Sequence, residues 1–203
     1  MSDDIIIEEA ADVAESQQAI NLTYIEMKHR YLSSYNIELD NRFVYHHGEL
    51  NAKSVLRTIK AITFLDTLSS EPITLFINSG GGEVLQTLSL IDCIRTCDSD
   101  VIGIGTGMIA SAAIPLLASC DVKKGTKYAS FMYHSISWGT FQPLRLAEQE
   151  TDLKESKRIQ NVINKLLAER TKKSYSFWSS HKHVDFSFDA EQAKEFGIID
   201  EIV

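Results

Sequence analysis

From Val101 to Cys120 the chain carries no charged side chain, and Asp100 and Asp121 bound the run. A stretch of that length and polarity belongs either in a bilayer or in the interior of a folded domain. Gly103, Gly105 and Gly107 each weaken a helix by about 1 kcal/mol relative to Ala, and Pro115 interrupts the second half of the run. The flanks are acidic and lack the Lys/Arg asymmetry that orients membrane spans. The run therefore reads as a buried strand, "VIGIG", followed by a compact helix, "ASAAIPLLAS", with Ser111 at its start.

The same alternation fills the rest of the chain. "RFVY" is a strand stopped by Gly48, and Val55, Leu56, Ile59, Ile62 and Leu65 recur at helical spacing before Pro72. "ITLFIN" (73–78) is a second apolar strand, and Val84, Leu88, Ile91 and Ile94 mark the helix after it. "YASFMYHS" is a further strand. A long helix then carries the stripe Ile159, Val162, Ile163, Leu166 and Leu167, and a short helix, a Gly197 stop and a last strand end the chain. Strands alternating with helices imply βαβ crossovers and a mainly parallel α/β sheet. A chain of 203 residues supports one such domain. Residues 1–20 are acidic with little apolar face, so a mobile N-terminal arm is expected there, with the folded domain over 21–203.

Composition excludes several classes of function. A net charge of −8 argues against nucleic acid as a partner, which would need a basic face to displace counterions. The 3 cysteines cannot all pair with each other; Cys93 and Cys97, four apart on a helix, are read as small apolar groups. The start "MSDDIII" is acidic where a secretory signal is basic, so the expected location is cytoplasmic, a host cytoplasm or an organelle lumen.

Sites in open α/β folds gather where strands end and helices begin. "INSGGGEV" is one such place: its glycines permit a sharp turn with bare amides above the strand end. It lacks the Lys of a phosphate loop, and Gly103, Gly105 and Gly107 have the wrong spacing for a dinucleotide fingerprint. Ser111 is the other, and a serine there is inert unless a base adjoins it. Among 6 histidines, His134 closes the "FMYH" strand. His181 and His183 form an HxH pair with no third ligand in view, so no metal and no cofactor are expected. Asp185 follows in a loop before the final helix, where a carboxylate can orient an imidazole. Read from the residues alone, Ser…His…Asp is one arrangement among several.

Together, "LFINSGGGEV", "GIGTGMIASAAIPLLAS", "FMYHS" and "DFSFDAEQAKEFGIIDEIV" resemble, in order and nearly in spacing, the motifs of the caseinolytic protease (ClpP) family over Asn41–Val203. The resemblance implies the ClpP/crotonase-like α/β fold with a protruding handle helix at about 146–172. It implies a serine endopeptidase with Ser111 as nucleophile, His134 as base and Asp185 as the carboxylate, and with the amides of Gly82 and Ala112 binding the oxyanion. It also implies protein and peptide substrates, a double heptameric ring (a tetradecamer), AAA+ unfoldase partners and a handle whose apolar stripe need not serve the subunit's own core. Phe76 matches an aromatic of the family's docking clefts, although core packing accounts for it equally and is the expectation here.

Departures from the pattern bear on substrate preference and rate. Gly80 replaces the family's Pro, Ala112 its Met, Ser135-Ile136 its Gln-Pro, and "SWGTFQ" its substrate-pairing Gly-Gly strand. Three other readings compete: a catalytically silent ring subunit, a phage maturation protease on the same fold, and a crotonase-type acyl-CoA enzyme.

Overall fold

A computed structural model describes residues 2–137, 146–181 and 185–203. The chain begins with helix α1 (Ser2–Tyr35) and the short strand β1 (Ile37–Glu38). Alternating units come next: β2 (Phe43–His47), α2 (Ala52–Leu68), β3 (Ile73–Ser79), α3 (Val84–Thr96), β4 (Val101–Ala110) and α4 (Ala113–Ala118). Strands β5 (Val122–Gly125) and β6 (Ser130–Tyr133) precede the long helix α5 (Leu146–Arg170). The end of the chain adds α6 (Tyr175–Ser180), β7 (Phe186–Phe188), α7 (Ala190–Phe196) and β8 (Glu201–Ile202).

One sheet runs in the order β1-β2-β3-β4-β5-β8, parallel except for β1, with β6 parallel to β4 and β7 antiparallel to β6. The uncharged run occupies its centre. Ile102–Gly105 of β4 pairs with β5, whereas Met108–Ala110 pairs with β6, so the sheet forks along one strand. The fork falls at Gly107, whose φ of 57° is left-handed and whose Cα packs where an added Cβ would stand 2.9 Å from Asn78 Oδ1. Asn78 Oδ1 also accepts from the Met108 amide at 3.1 Å, pinning the kink. The effect is to carry the end of β4, and Ser111 after it, out beside β6. The strand expected over Val101–Gly105 thus runs on to Ala110, and the helix expected from Ala110 starts later, at Ala113, because the strand continues through the kink.

Helices α2, α3 and α4 contribute Val55, Ile62, Leu65, Leu90, Ile91, Ile94 and all of Ala113–Ala118 to the core. Polar signals set their limits: Asn51 caps α2 with Ser54 in a reciprocal box, Asp189 caps α7 with Gln192, and left-handed Gly197 ends it.

Three further features bear on the expectations. The acidic segment expected as an arm is helical, because α1 runs to Tyr35 through Ala-, Glu- and Gln-rich sequence without glycine or proline. Tyr31 stacks on Phe64 at 5.2 Å and joins this helix to α2. In α5, Ile159, Ile163 and Leu167 are buried while Leu153 and Val162 are exposed, so the stripe does serve the subunit's own core along its later turns. Phe76 is not in the core. Alternation along β3 turns Ile73, Leu75, Ile77 and Ser79 inward, and Phe76 packs on the other face against Tyr45 (5.1 Å, 13°) and Phe43 (5.2 Å, 78°). Among the described residues, no helix is long and apolar enough to cross a membrane.

Candidate active site

The glycine turn after β3 is held from one side. The Leu50 amide donates to Gly81 O at 2.9 Å and the Glu83 amide to Leu50 O at 2.7 Å. Gly82 is fitted against Leu50 so closely that a Cβ there would stand 2.3 Å from Leu50 O. On the other side Gly81, at φ 98°, lies against the nucleophile candidate: a Cβ would stand 2.6 Å from Ser111 Cβ. No other residue type fits both places.

Ser111 has a φ of 55°, a left-handed conformation that costs a non-glycine residue on the order of 1–3 kcal/mol. Its amide donates to Met132 O at 2.8 Å, extending the β4–β6 ladder by one bond, and its carbonyl accepts from the Ile114 amide at 3.1 Å. The strained residue is therefore fixed by backbone bonds on both sides. The amides of Gly82 and Ala112 donate to no partner among the described hydrogen bonds. A cavity of ≈ 70 Å³ is lined by Gly82, Ser111, Ala112 and His134 together, with Val84, Pro115, Ile136 and Ile163 as apolar walls. A wider cavity of ≈ 430 Å³ shares Gly82, Val84, Ile136 and Ser137 with it and extends along Leu85, Gln86 and Ile159.

His134 comes directly after the last residue of β6. Its Nδ1 lies 2.7 Å from Ser135 O. A carbonyl only accepts, so Nδ1 carries a proton, and in the neutral ring Nε2 keeps its lone pair. Asp185 immediately precedes β7 and is exposed. The β6–β7 register pairs Phe131 with Phe188, Met132 with Ser187 and Tyr133 with Phe186, so its continuation sets Asp185 opposite His134. Among the described hydrogen bonds none joins Ser111 Oγ to His134 or His134 to Asp185. The fold thus gathers Ser111, His134, Gly82 and Ala112 at one cavity, and the β6–β7 register sets Asp185 opposite His134 along the backbone, with no described hydrogen bond between their side chains.

Sequence reasoning passes over strand β7, which stands between Asp185 and α7; the alternating "FSF" is its only local signal. It also passes over Val84, Tyr133 and Gln160 as cavity-lining residues. His181 is engaged elsewhere, with Nδ1 at 2.8 Å from Phe177 O and its ring stacked on Phe186 at 4.0 Å. His183 lies outside the described residues. Among the described residues no three His, Cys, Asp or Glu side chains converge as a metal site requires. The "SWGTFQ" segment lies outside the described residues after Ser137.

An α/β sheet with a strained serine, a histidine and unpaired amides at one strand end is the arrangement of a serine hydrolase. The family model for Clp protease matches residues 26–203, and the chain belongs to that family. Two curated relatives are ATP-dependent Clp protease proteolytic subunit 2 from Prochlorococcus marinus. The chain is 30% identical to that of strain NATL2A over 165 residues, covering 80% of this chain and 82% of the relative. It is 31% identical to that of strain MIT 9312 over 165 residues, covering 80% and 81%. Among solved structures, a mutant of ClpP1 from Listeria monocytogenes superposes with a TM-score of 0.75 at 32% identity, covering 81% of this chain and 92% of that one. The family is one of serine peptidases, and this membership sets aside the acyl-CoA reading drawn from the shared fold.

Proposed function

We propose that this chain is a serine endopeptidase that cleaves protein and peptide substrates inside a ring-shaped chamber, as the proteolytic subunit of an ATP-dependent protease. One observation carries the reading: strained Ser111 shares a cavity with His134 and lies beside the unpaired amides of Gly82 and Ala112. His134 Nε2 takes the Ser111 Oγ proton as Oγ attacks the peptide carbonyl, then returns it to the leaving amine. The Gly82 and Ala112 amides donate to the oxyanion of the tetrahedral intermediate. Asp185 orients the imidazole once His134 Nδ1 exchanges the Ser135 carbonyl for its carboxylate. The wider cavity along Leu85 and Gln86 accommodates the substrate chain.

Assembly is part of the proposal: a double heptameric ring, with exposed Leu153 and Val162 of α5 available to a neighbouring subunit. The aromatic group Phe43, Tyr45 and Phe76, on the sheet face away from the core, is a fitting seat for an AAA+ unfoldase.

A catalytically silent ring subunit is the second reading, favoured by the Ser135 carbonyl standing where Asp185 should bond His134. A fluorophosphonate label separates the two when applied to the assembled fraction, with hydrolysis of a fluorogenic peptide followed in parallel. The active reading expects wild type to label and hydrolyse and Ser111→Ala to do neither. Loss of a triad member leaves a background of about 10³–10⁴-fold over water, which the assay must resolve. An assembled wild type that neither labels nor cleaves establishes the silent reading.

A further inference from the structure

We propose that Gln160, on α5, is a positioning residue that holds His134 in place by gripping the chain on both sides of it. The inference rests on reading His134 as the general base.

The need for such a grip arises from where β6 ends. Its last pair with β4 is Ala110↔Met132 and its last pair with β7 is Tyr133↔Phe186. His134 and the residues after it stand past both ladders, without the strand pairing that fixes Phe131–Tyr133. At that point the Ile136 amide donates to Gln160 Oε1 at 2.7 Å. The Nε2 of the same side chain donates to Tyr133 Oη at 3.1 Å and to Asn164 Oδ1 at 2.9 Å. Tyr133 Oη in turn donates to Asn164 Oδ1 at 2.6 Å. One side chain therefore binds the residue before His134 and the second residue after it.

The roles in this network admit one assignment. A backbone N–H only donates, so the amide oxygen of Gln160 must face Ile136 and its nitrogen must face Tyr133 and Asn164. Tyr133 and Asn164 are 2% and 3% exposed, so both are shielded from competing water. Burial pushes the Tyr133 hydroxyl up to about 12, and it remains a neutral donor at physiological pH. A network shielded in this way is rigid, because releasing one bond strands its partners in a low-dielectric site. Ile136 supplies an N–H where the resembled motif has proline, which has none, so the link depends on this chain's own sequence. The consequence for catalysis is large, since a displacement of about 1 Å in a reacting group costs on the order of 10²-fold in rate.

Gln160→Met keeps the length and volume and removes all three bonds. The expected result, on the assembled protein, is a fluorophosphonate acylation rate and a kcat lower by about 10- to 100-fold, with KM changed much less than kcat because the three bonds lost all run to the protein's own groups. Hydrogen exchange at the Ile136 amide should accelerate. Ile136→Pro removes the same bond from the other end and should reproduce the rate loss, and the double variant should be no slower than the slower single. If Gln160→Met fails to assemble, Ile136→Pro decides on the same measures. Acylation at the wild-type rate overturns the proposal, as do losses that multiply in the double variant. So does a lowered melting temperature with an unchanged rate per site, which is what a purely structural Gln160 produces. Should wild type itself fail to acylate, the peptidase reading fails separately. Ile136 exchange then still decides for the grip if Gln160→Met accelerates it and against it if not.

Discussion

Tyr133 and Phe186 form the last antiparallel pair between β6 and β7, so the next residues outward, His134 and Asp185, face each other just beyond the sheet. Continued by one step, this register sets Asp185 opposite His134 along the backbone, across 51 positions of sequence and without either residue lying in a strand; Asp185 is exposed and His134 Nδ1 lies at the Ser135 carbonyl. Asp185→Asn therefore disturbs no described packing and should change unfolding free energy by less than about 0.5 kcal/mol. If the carboxylate orients the base during turnover, kcat should fall on the order of 10⁴-fold, as when the aspartate of a serine-protease triad is made asparagine. A peptide assay beside a urea titration reads both quantities. Unchanged kcat would assign the orienting role to the Ser135 carbonyl.

Gly81 and Gly48 separate the two costs of a side chain at a left-handed position. Their φ angles are 98° and 99°, yet a Cβ at Gly48 meets nothing within 4 Å while one at Gly81 stands 2.6 Å from Ser111 Cβ and 2.8 Å from Ala110 O. Gly48→Ala should carry the conformational cost alone, on the order of 1–2 kcal/mol, with peptidase activity retained. Gly81→Ala should add overpacking of about 1–3 kcal/mol, and the displaced Ser111 should lose its fluorophosphonate reactivity. Equal destabilisation by the two substitutions would mean that the glycine turn does not bear on Ser111.

His46 makes the fold acid-sensitive for a reason unconnected with the active site. It is 2% exposed beneath α2, its Nδ1 is 2.8 Å from Thr58 Oγ1, and its Nε2 is buried without a partner among the described residues. Burial, and to a lesser degree the neighbouring His47, lower it from 6.5 to about 4. Between those values the unfolded chain binds a proton that the folded chain refuses, so stability rises with pH there. The contribution is complete above pH 6.5 and is lost as pH falls toward 4, by about 3 kcal/mol in all. Urea unfolding of wild type and His46→Leu at pH 7, 6 and 5 checks this: wild type should lose stability over the interval more steeply than the variant. Parallel curves would show that His46 does not titrate as its burial implies.

The parts of the fold that are legible in sequence are those whose side chains answer to local rules. The β3 and β4 strands, α3 and α4 are marked by apolar runs punctuated at Gly80–Gly82, and α7 by Asp189 and Gly197. The first part of helix α1, up to about residue 20, escapes such a reading because a high-propensity segment without a strong apolar stripe looks like an unstructured one. Phe76 is misplaced by it because a phenylalanine suits either face of a parallel strand, although the inward set Ile73, Leu75 and Ile77 fixes its side by alternation. The site divides the same way. Ser111, Gly82 and Ala112 belong to contiguous motifs, whereas the approach of Asp185 to His134 depends on β6–β7 pairing and the bond from Ile136 to Gln160 on how α5 packs, neither of which any local window records.

Cys120 offers a probe of the centre of that packing. It ends the uncharged run, is fully buried, and lies against Gly103 so closely that a Cβ there would stand 2.6 Å from its Sγ. Burial, then the charge of Asp121, push its thiol up to about 12, which leaves almost no thiolate at pH 8. Alkylation by iodoacetamide requires the thiolate and room to approach, so native protein should remain unmodified at Cys120 while urea-unfolded protein is labelled fully. In intermediate urea the labelling rate should follow the fraction unfolded, because no local opening of α4 exposes Sγ without separating β4 from the helices above it. Peptide mapping by mass spectrometry reads the site directly. Rapid labelling of native Cys120 would mean that the helix following Ser111 opens independently of the sheet, and the rigid backbone that holds Ser111 in its strained conformation would then have no support from that side.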